Sequence, residues 1–281
     1  MSDSNLVEPD WKKTCLEKVI DELAGCVVAC SGGIDSMLLA TIAHRVLKNK
    51  CRIVHSVSPA VPVEATERAI DFSKKEGWSL DIIETDEFSD EAYLSNPVNR
   101  CFYCKSHLYK GLSLIAKKLS SETTINYPLL SGTNDDDLSE YRPGLSAARD
   151  YHVRHPFVEA AMGKADIRAL CRSLGLSFAD LPSSPCLASR LYTGTRVTAE
   201  RLSTVHFAEE SLKRTTGISV VRCRLQKNDM RVEILRQDRH RITEDVIAKL
   251  RAELQQHHTN IAGVALDSND YMPGRSFKVG T

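Results

Sequence analysis

The sequence predicts an α/β protein, with an N-terminal doubly wound parallel sheet and a smaller C-terminal α+β domain. Three observations carry that expectation. Strand-like apolar runs alternate with helix-like stretches through the first part of the chain, the pattern of a parallel sheet covered on both faces. One such run, Val27-Val28-Ala29-Cys30, passes through Ser31-Gly32-Gly33 directly into a helical stretch. Beyond about residue 190 the order changes to a long helix, two alternating strands, another helix and a last strand. The expected domains are therefore 1–190 and 191–281.

Taken in order, residues 11–23 have helical periodicity, with Leu16, Val19, Ile20 and Leu23 on one face. The first strand and its glycine turn follow, then a helix through about Leu47 and a second strand, Arg52–Val57. A helix from Glu64 to Lys75 closes on Gly77, and Leu80–Glu84 is the third strand. Asn96-Pro97 marks a turn, with a helix expected from about Ser106 to Lys118. Leu129-Leu130-Ser131-Gly132 reads as a short strand and turn. Short and longer helices follow at Ala147–Val153 and Lys164–Leu174, the latter ended by Gly175. Thr198–Lys213 is a helix with Leu202, Val205, Ala208 and Leu212 as its apolar stripe. Ser219–Leu225 and Met230–Leu235 form a hairpin, followed by a helix over Thr243–Gln256 and a strand over Ile261–Leu266.

A chain of 281 residues with 42% hydrophobic and 26% charged residues has enough apolar material for a proper core. Lysine plus arginine and aspartate plus glutamate are equal at 37 each, so no global charge favours nucleic acid or an anionic membrane. The N-terminus lacks a signal-peptide core and no apolar run is long enough to span a bilayer, so a cytoplasmic location is expected. Nine cysteines in a reducing compartment read as packing residues, metal ligands or reactive thiols. Cys26, Cys30, Cys51 and Cys171 sit in apolar runs, Cys15 and Cys223 carry no local signal, and Cys101, Cys104 and Cys186 call for another explanation.

The run Ser31-Gly32-Gly33-Ile34-Asp35-Ser36 is the strongest chemical signal. Glycines let a backbone approach an anion, and the helix start behind them offers free N–H groups and a positive dipole end. Ser31 and Ser36 add hydroxyls, while Asp35 suits a divalent cation or a bracing role. An ordinary strand–helix turn is the alternative, and no Gly-Lys-Ser/Thr follows to make a Walker A loop. Cys101-Phe102-Tyr103-Cys104 stands at the head of a helix, where zinc, an iron–sulfur cluster, a redox couple or chance would each account for it. Asp135-Asp136-Asp137 after a strand is costly through like-charge repulsion unless a cation is near, though a solvated loop is the alternative. Arg142, in the turn Tyr141-Arg142-Pro143-Gly144, is a candidate phosphate or carboxylate contact. Two prolines, Pro182 and Pro185, stiffen the loop that presents Cys186. Arg222 and Arg224 share one strand face, which suits a phosphate or merely a solvated surface, and Tyr271–Ser276 makes a turn carrying Arg275.

These motifs, with Ser131-Gly132-Thr133-Asn134 and Pro185-Cys186-Leu187-Ala188-Ser189-Arg190, occur in an order that resembles the LarE-type sulfur transferases. These are a branch of the ATP pyrophosphatase superfamily, whose nucleotide domain is adenine nucleotide alpha hydrolase-like. The resemblance implies adenylation of a small-molecule carboxylate and then sulfur transfer; in the best-known members the acceptor is a pyridinium dicarboxylate mononucleotide, a precursor of a nickel-pincer cofactor. It implies ATP held by Ser31, Gly32, Gly33, Asp35, Ser36, Asn134 and Arg142, with Mg²⁺ near Asp35 and Asp135. It also implies a substrate phosphate on Arg222 and Arg224. Sacrificial family members give up the sulfur of the cysteine matching Cys186 and lack the pair matching Cys101 and Cys104. Members with all three, as here, resemble proteins that hold a [4Fe-4S] cluster on three thiolates. Homo-oligomers are common in the family, and the immediate sulfur donor is left open. The rival readings are a tRNA thiolase, an amide-forming ligase resembling NAD synthetase, and a non-catalytic nucleotide- or iron–sulfur-binding regulator.

Overall fold

The computed structural model describes residues 8–139, 142–257 and 261–272, which form two units. The first comprises residues 8–58, Val63–Asp86 and Cys101–Ser184; the second comprises Pro59–Pro62, Glu87–Arg100 and the chain from Pro185 onward.

In the first unit, α1 (Glu8–Asp21) leads to β1 (Cys26–Ala29), α2 (Ile34–Leu47), β2 (Cys51–Val57), α3 (Val63–Glu76) and β3 (Leu80–Glu84). After an excursion into the second unit through α4 (Glu91–Leu94), the chain returns along α5 (Arg100–Thr123) to β4 (Leu129–Ser131). It then makes α6 (Asp135–Leu138), α7 (Gly144–Asp150), α8 (Pro156–Glu159) and α9 (Lys164–Ser173). The four strands are parallel in the order β3-β2-β1-β4. Alternating side chains of β1 enter different cores, which is why the strand reads as an unbroken apolar run. Cys26 and Val28 pack with Leu16, Ile20, Met37, Leu38 and Leu170, whereas Val27 and Ala29 pack with Tyr109, Leu112, Ala147 and Ala148. Helices thus cover both faces, as the doubly wound expectation requires. The chain leaves β1 toward β2 and β3 and comes back to β4 on its other side. The strand order therefore reverses beside β1, and the crevice at the carboxyl ends of β1 and β4 is where such sheets bind ligands.

The helix after Pro97 differs from expectation. It begins at Arg100, not near Ser106, because the turn feeds it directly: Arg100 N–H donates to Pro97 O at 3.0 Å. Cys101 and Cys104 therefore lie inside α5, and the helix runs on to Thr123.

In the second unit, α10 (Ala199–Thr216) starts on a Thr198 side-chain cap and ends on Gly217 at φ 70°. It buries Leu202, Val205, Ala208 and Leu212 as its pattern predicts. Strands β5 (Val221–Gln226) and β6 (Asp229–Ile234) form the expected hairpin, and α11 (Glu244–His257) crosses over to β7 (Gly263–Leu266), parallel to β6. Asn96 ties the Glu87–Arg100 segment into this unit: its side-chain amide donates to Tyr192 O and Thr195 O at 2.9 and 2.8 Å. Among the described residues no helix is long and apolar enough to cross a membrane.

Candidate functional site

The loop after β1 is braced from within. Gly32 has φ +76°, a left-handed conformation, and a β-carbon there would lie 2.4 Å from the Ala65 carbonyl oxygen of α3, so no other residue fits. Ser36 Oγ donates to Gly33 O at 3.0 Å and accepts from Ser31 N–H at 3.0 Å. Ser31 Oγ stands 3.1 Å from Ser36 Oγ. Gly33 caps α2 without any side-chain bond, so the first N–H groups of that helix are left for a ligand or for water.

The loop after β4 meets this one inside the first unit. A β-carbon on Gly132 would approach Ser36 N to 2.8 Å, so glycine is what lets the two backbones touch. Asn134, fully buried, caps α6: its Oδ1 accepts from Asp136 N–H at 3.1 Å, and Asp137 reaches back to Asn134 N–H at 3.3 Å. That box aims the Asn134 amide at Asp35, Nδ2 to Oδ2 3.3 Å. The structure thus brings Ser31, Gly32, Gly33, Asp35, Ser36 and Asn134 together at the reversal point of the sheet. Burial pushes the Asp35 carboxyl up; Lys164 opposes this, Asp137 adds to it, and Arg168 and Arg142 oppose it more weakly.

The acids after Asn134 divide by burial. Asp135 is exposed, its N–H bonded to Met162 O at 3.1 Å. Asp137 is buried and ion-paired with Arg142 at 2.8 Å and Lys164 at 3.7 Å. Sequence reasoning placed Asp137 in the acidic cluster without a role of its own and gave Lys164 none beyond starting a helix. The Asn-x-x-Asp capping box was the signal for the first, and Lys164, one residue inside α9, carried none.

Of the nine cysteines, Cys26, Cys30, Cys51, Cys171 and Cys223 are buried, and Cys15, Cys101, Cys104 and Cys186 are partly exposed. Burial raises the thiols of Cys30 and Cys223, and lifts Cys171 to about 12, so these behave as small apolar groups. Cys101 and Cys104 are neighbours three residues apart on the first turns of α5, in the first unit; Cys186 belongs to the second.

In the second unit, Cys186 precedes a tight turn held by arginines. Arg190 sends Nη1 to Pro185 O at 2.8 Å and to Cys186 O at 3.3 Å. Its Nε and Nη2 grip both oxygens of Glu209 at 2.9 Å. Glu209 Oε1 also accepts from Cys223 N–H on β5 at 3.0 Å. Arg224 pairs with Glu233 at 2.7 Å and donates to Ser189 O at 2.9 Å. Arg222 sits 5.3 Å from the Tyr271 ring centre; burial, then the charge of Arg190, push its guanidinium down. Three buried arginines and two buried glutamates thus share this cluster. Tyr141, Arg275 and most of the final turn lie outside the described residues.

Comparison with known proteins places these features in a lineage. No family model matches the chain. The uncharacterized protein slr1717 of Synechocystis sp. is 35% identical over 266 residues, covering 94% of this chain and 96% of the relative. The pyridinium-3,5-bisthiocarboxylic acid mononucleotide synthase of Lactiplantibacillus plantarum is 29% identical over 265 residues, 94% and 93% of the two chains. The uncharacterized protein MJ0830 of Methanocaldococcus jannaschii is 28% identical over 208 residues, 74% and 77%.

Proposed function

The chain belongs to one family with slr1717, the LarE-like proteins, and on that premise we propose that it is an ATP-dependent sulfur transferase. It adenylates a carboxylate of a small-molecule substrate, with pyrophosphate leaving, and then exchanges AMP for sulfur. The substrate class is a pyridinium dicarboxylate mononucleotide, the oxygen counterpart of the bisthiocarboxylic acid mononucleotide for which one relative is named. The observation that carries the reading is the meeting of the Ser31–Ser36 loop with Asn134 at the sheet's reversal point, where Asn134 bonds Asp35.

Each residue has a task in this reading. Gly32 and Gly33 bring backbone N–H groups to the ATP phosphates, and the start of α2 adds its dipole. Ser31 and Ser36 keep the loop in shape and offer hydroxyls to the phosphates. Arg142 and Lys164 add positive charge on the Asp137 side of Asp35. Asp35 and Asp135 are hard oxygen donors fit for Mg²⁺, which, when bound, neutralises the departing pyrophosphate. Burial of the Asp35 carboxyl supports this, since a cation relieves a desolvated charge. Arg222 and Arg224 take the substrate phosphate: they are buried guanidinium groups on one strand, which suit a doubly charged anion. The region 191–281 serves as the substrate and assembly domain.

Sulfur comes from one of two places. Cys101 and Cys104 are paired, partly exposed thiols on one helix face, a soft donor set that suits iron–sulfur ligation with Cys186 as third ligand. Cys101, Cys104 and Cys186 would hold such a cluster, which would supply sulfide for the transfer. Otherwise the Cys186 thiolate displaces AMP from the acyl-adenylate to form a thioester, and loss of its α-proton with cleavage of its Cβ–S bond releases the thiocarboxylate and leaves dehydroalanine. The test is pyrophosphate release from ATP and candidate carboxylates, with Asp35→Ala expected to abolish it. Undiminished release would remove the loop from the mechanism. Intact-chain mass after turnover separates the donors: loss of the elements of hydrogen sulfide from Cys186 marks the sacrificial route, and an unchanged mass favours the cluster.

A further inference from the structure

An anion cradle made of backbone has a geometric problem: its N–H groups must face the ligand and its carbonyl oxygens must not. In a trans peptide the C=O and the following N–H point opposite ways, so holding a carbonyl on one side fixes the N–H on the other. In this loop three carbonyls in a run of four residues are each held by a side-chain donor. Cys30 O is 2.8 Å from His55 Nδ1, Gly32 O accepts from Arg68 Nε at 2.8 Å, and Gly33 O accepts from Ser36 Oγ at 3.0 Å. Since a carbonyl only accepts, Nδ1 of His55 carries the proton; Nε2, 2.9 Å from Thr66 Oγ1, accepts the threonine hydroxyl. Ser36 belongs to the loop itself, whereas His55 comes from β2 and Thr66 and Arg68 from α3.

Of these donors only Arg68 brings charge and acts on the glycine pair. It lies one turn after Ala65, whose carbonyl oxygen abuts Gly32, so α3 both crowds the loop and holds it. Gly32, at φ +76°, is the residue with most freedom to turn its peptide over, and the bond from Arg68 removes that freedom. The Gly33 N–H, opposite the Gly32 carbonyl in the same peptide, makes a long contact of 3.4 Å to Ser31 Oγ, which a phosphate oxygen can replace without the peptide turning.

We propose that Arg68 is a positioning residue of the nucleotide site: it fixes the Gly32–Gly33 peptide so that the Gly33 N–H faces the phosphates before ATP arrives. The proposal rests on the reading of Ser31–Ser36 as a phosphate loop. Preorganisation of this kind acts on binding of phosphate in both ground and transition states, so KM for ATP should respond more than kcat.

The experiment uses the full chain and the variants Arg68→Gln, Arg68→Lys and Arg68→Ala. Binding of ATP and of inorganic pyrophosphate is measured by calorimetry, alongside steady-state pyrophosphate release and thermal melting. Arg68→Gln and Arg68→Lys should each weaken ATP binding about 10–100-fold, the effect of one lost charge-assisted hydrogen bond, with kcat changed less than KM. Ethylguanidine added to Arg68→Ala should restore part of the affinity, which it would not do for a residue that only props the fold. If wild type binds ATP and the Gln and Lys variants bind it equally well, the role of Arg68 is refuted while the loop stands. If wild type binds neither ATP nor pyrophosphate, the loop reading fails and the positioning role goes with it.

Discussion

The two anion sites proposed for this protein are built by opposite means. In the first unit the cradle is backbone: two glycines and a helix start, with side chains from β2 and α3 turned to holding carbonyls away. In the second unit the groups for an anion are side chains, three buried arginines, and what surrounds them is carboxylate and carbonyl. A backbone cradle carries partial charges and needs little compensation when empty. A buried guanidinium cluster carries full charges, and each must be paired or hydrogen-bonded for the unit to fold. The first site should thus be sensitive to added atoms, and the second to lost charges.

The sharpest way to break that contrast is to remove a carboxylate from the second site. Glu209→Ala leaves Arg190, 4% exposed, without its bidentate partner and takes the acceptor from the buried Cys223 N–H on the edge strand β5. Destabilisation of roughly 3–5 kcal/mol is expected from urea unfolding. A loss under about 1 kcal/mol would mean that the arginines do not depend on their carboxylates. At the same cluster, Arg224→Lys keeps the charge but gives up the fork that reaches Glu233, Ser189 O and Met272 O. It should cost about 1–3 kcal/mol and raise KM for the carboxylate substrate while leaving KM for ATP unchanged. An equal rise in both would show that the two sites are not separately tuned.

The matching change at the first site adds one carbon. Gly32→Ala forces a β-carbon to within 2.4 Å of Ala65 O at a left-handed φ, so the loop must shift to relieve it. Global stability should fall by about 1–3 kcal/mol, the order of a strained backbone residue. ATP binding should fall by more than about 100-fold, because the N–H groups are re-aimed together. Retained affinity would argue that the cradle is not the phosphate site.

The same contrast explains what could be read in advance. The Ser31–Ser36 loop was legible because its parts are contiguous: strand, glycines and helix start lie within about ten residues. The sheet was legible for the same reason, and so were the long helices and the hairpin. Helix α5 began early because the Asn96-Pro97 turn nucleated it, and Asn96 itself finds partners nearly a hundred residues on, which no local pattern encodes. Arg222 and Arg224 were visible as a pair on a strand, but Arg190, Glu209 and Glu233 acquire meaning only through the fold. Likewise His55 and Arg68 carry no local signal and gain meaning only where the fold sets them beside the loop carbonyls.

The smallest expected effect concerns the brace of the first site. Burial lowers the pKa of His55, so in the folded protein the ring stays neutral, donating to Cys30 O and accepting from Thr66. In the unfolded chain the same ring takes a proton near pH 6.5. Between that value and the depressed folded one the unfolded state binds more protons. Stability therefore rises with pH through that window, is complete above it, and is lost as the pH falls below about 6.5. One proton limits the slope to about 1.4 kcal/mol per pH unit. Burial also lowers the pKa of His155 and His44, so the wild-type acid limb has more than one contributor. Asparagine isolates the share of His55, because its amide can donate to Cys30 O from the Nδ1 position and does not titrate. Urea unfolding of His55→Asn between pH 7 and pH 5 should give a shallower dependence than wild type. An unchanged slope would mean that the ring is not held neutral, and Nε2 would then donate to Thr66 Oγ1 instead of accepting from it.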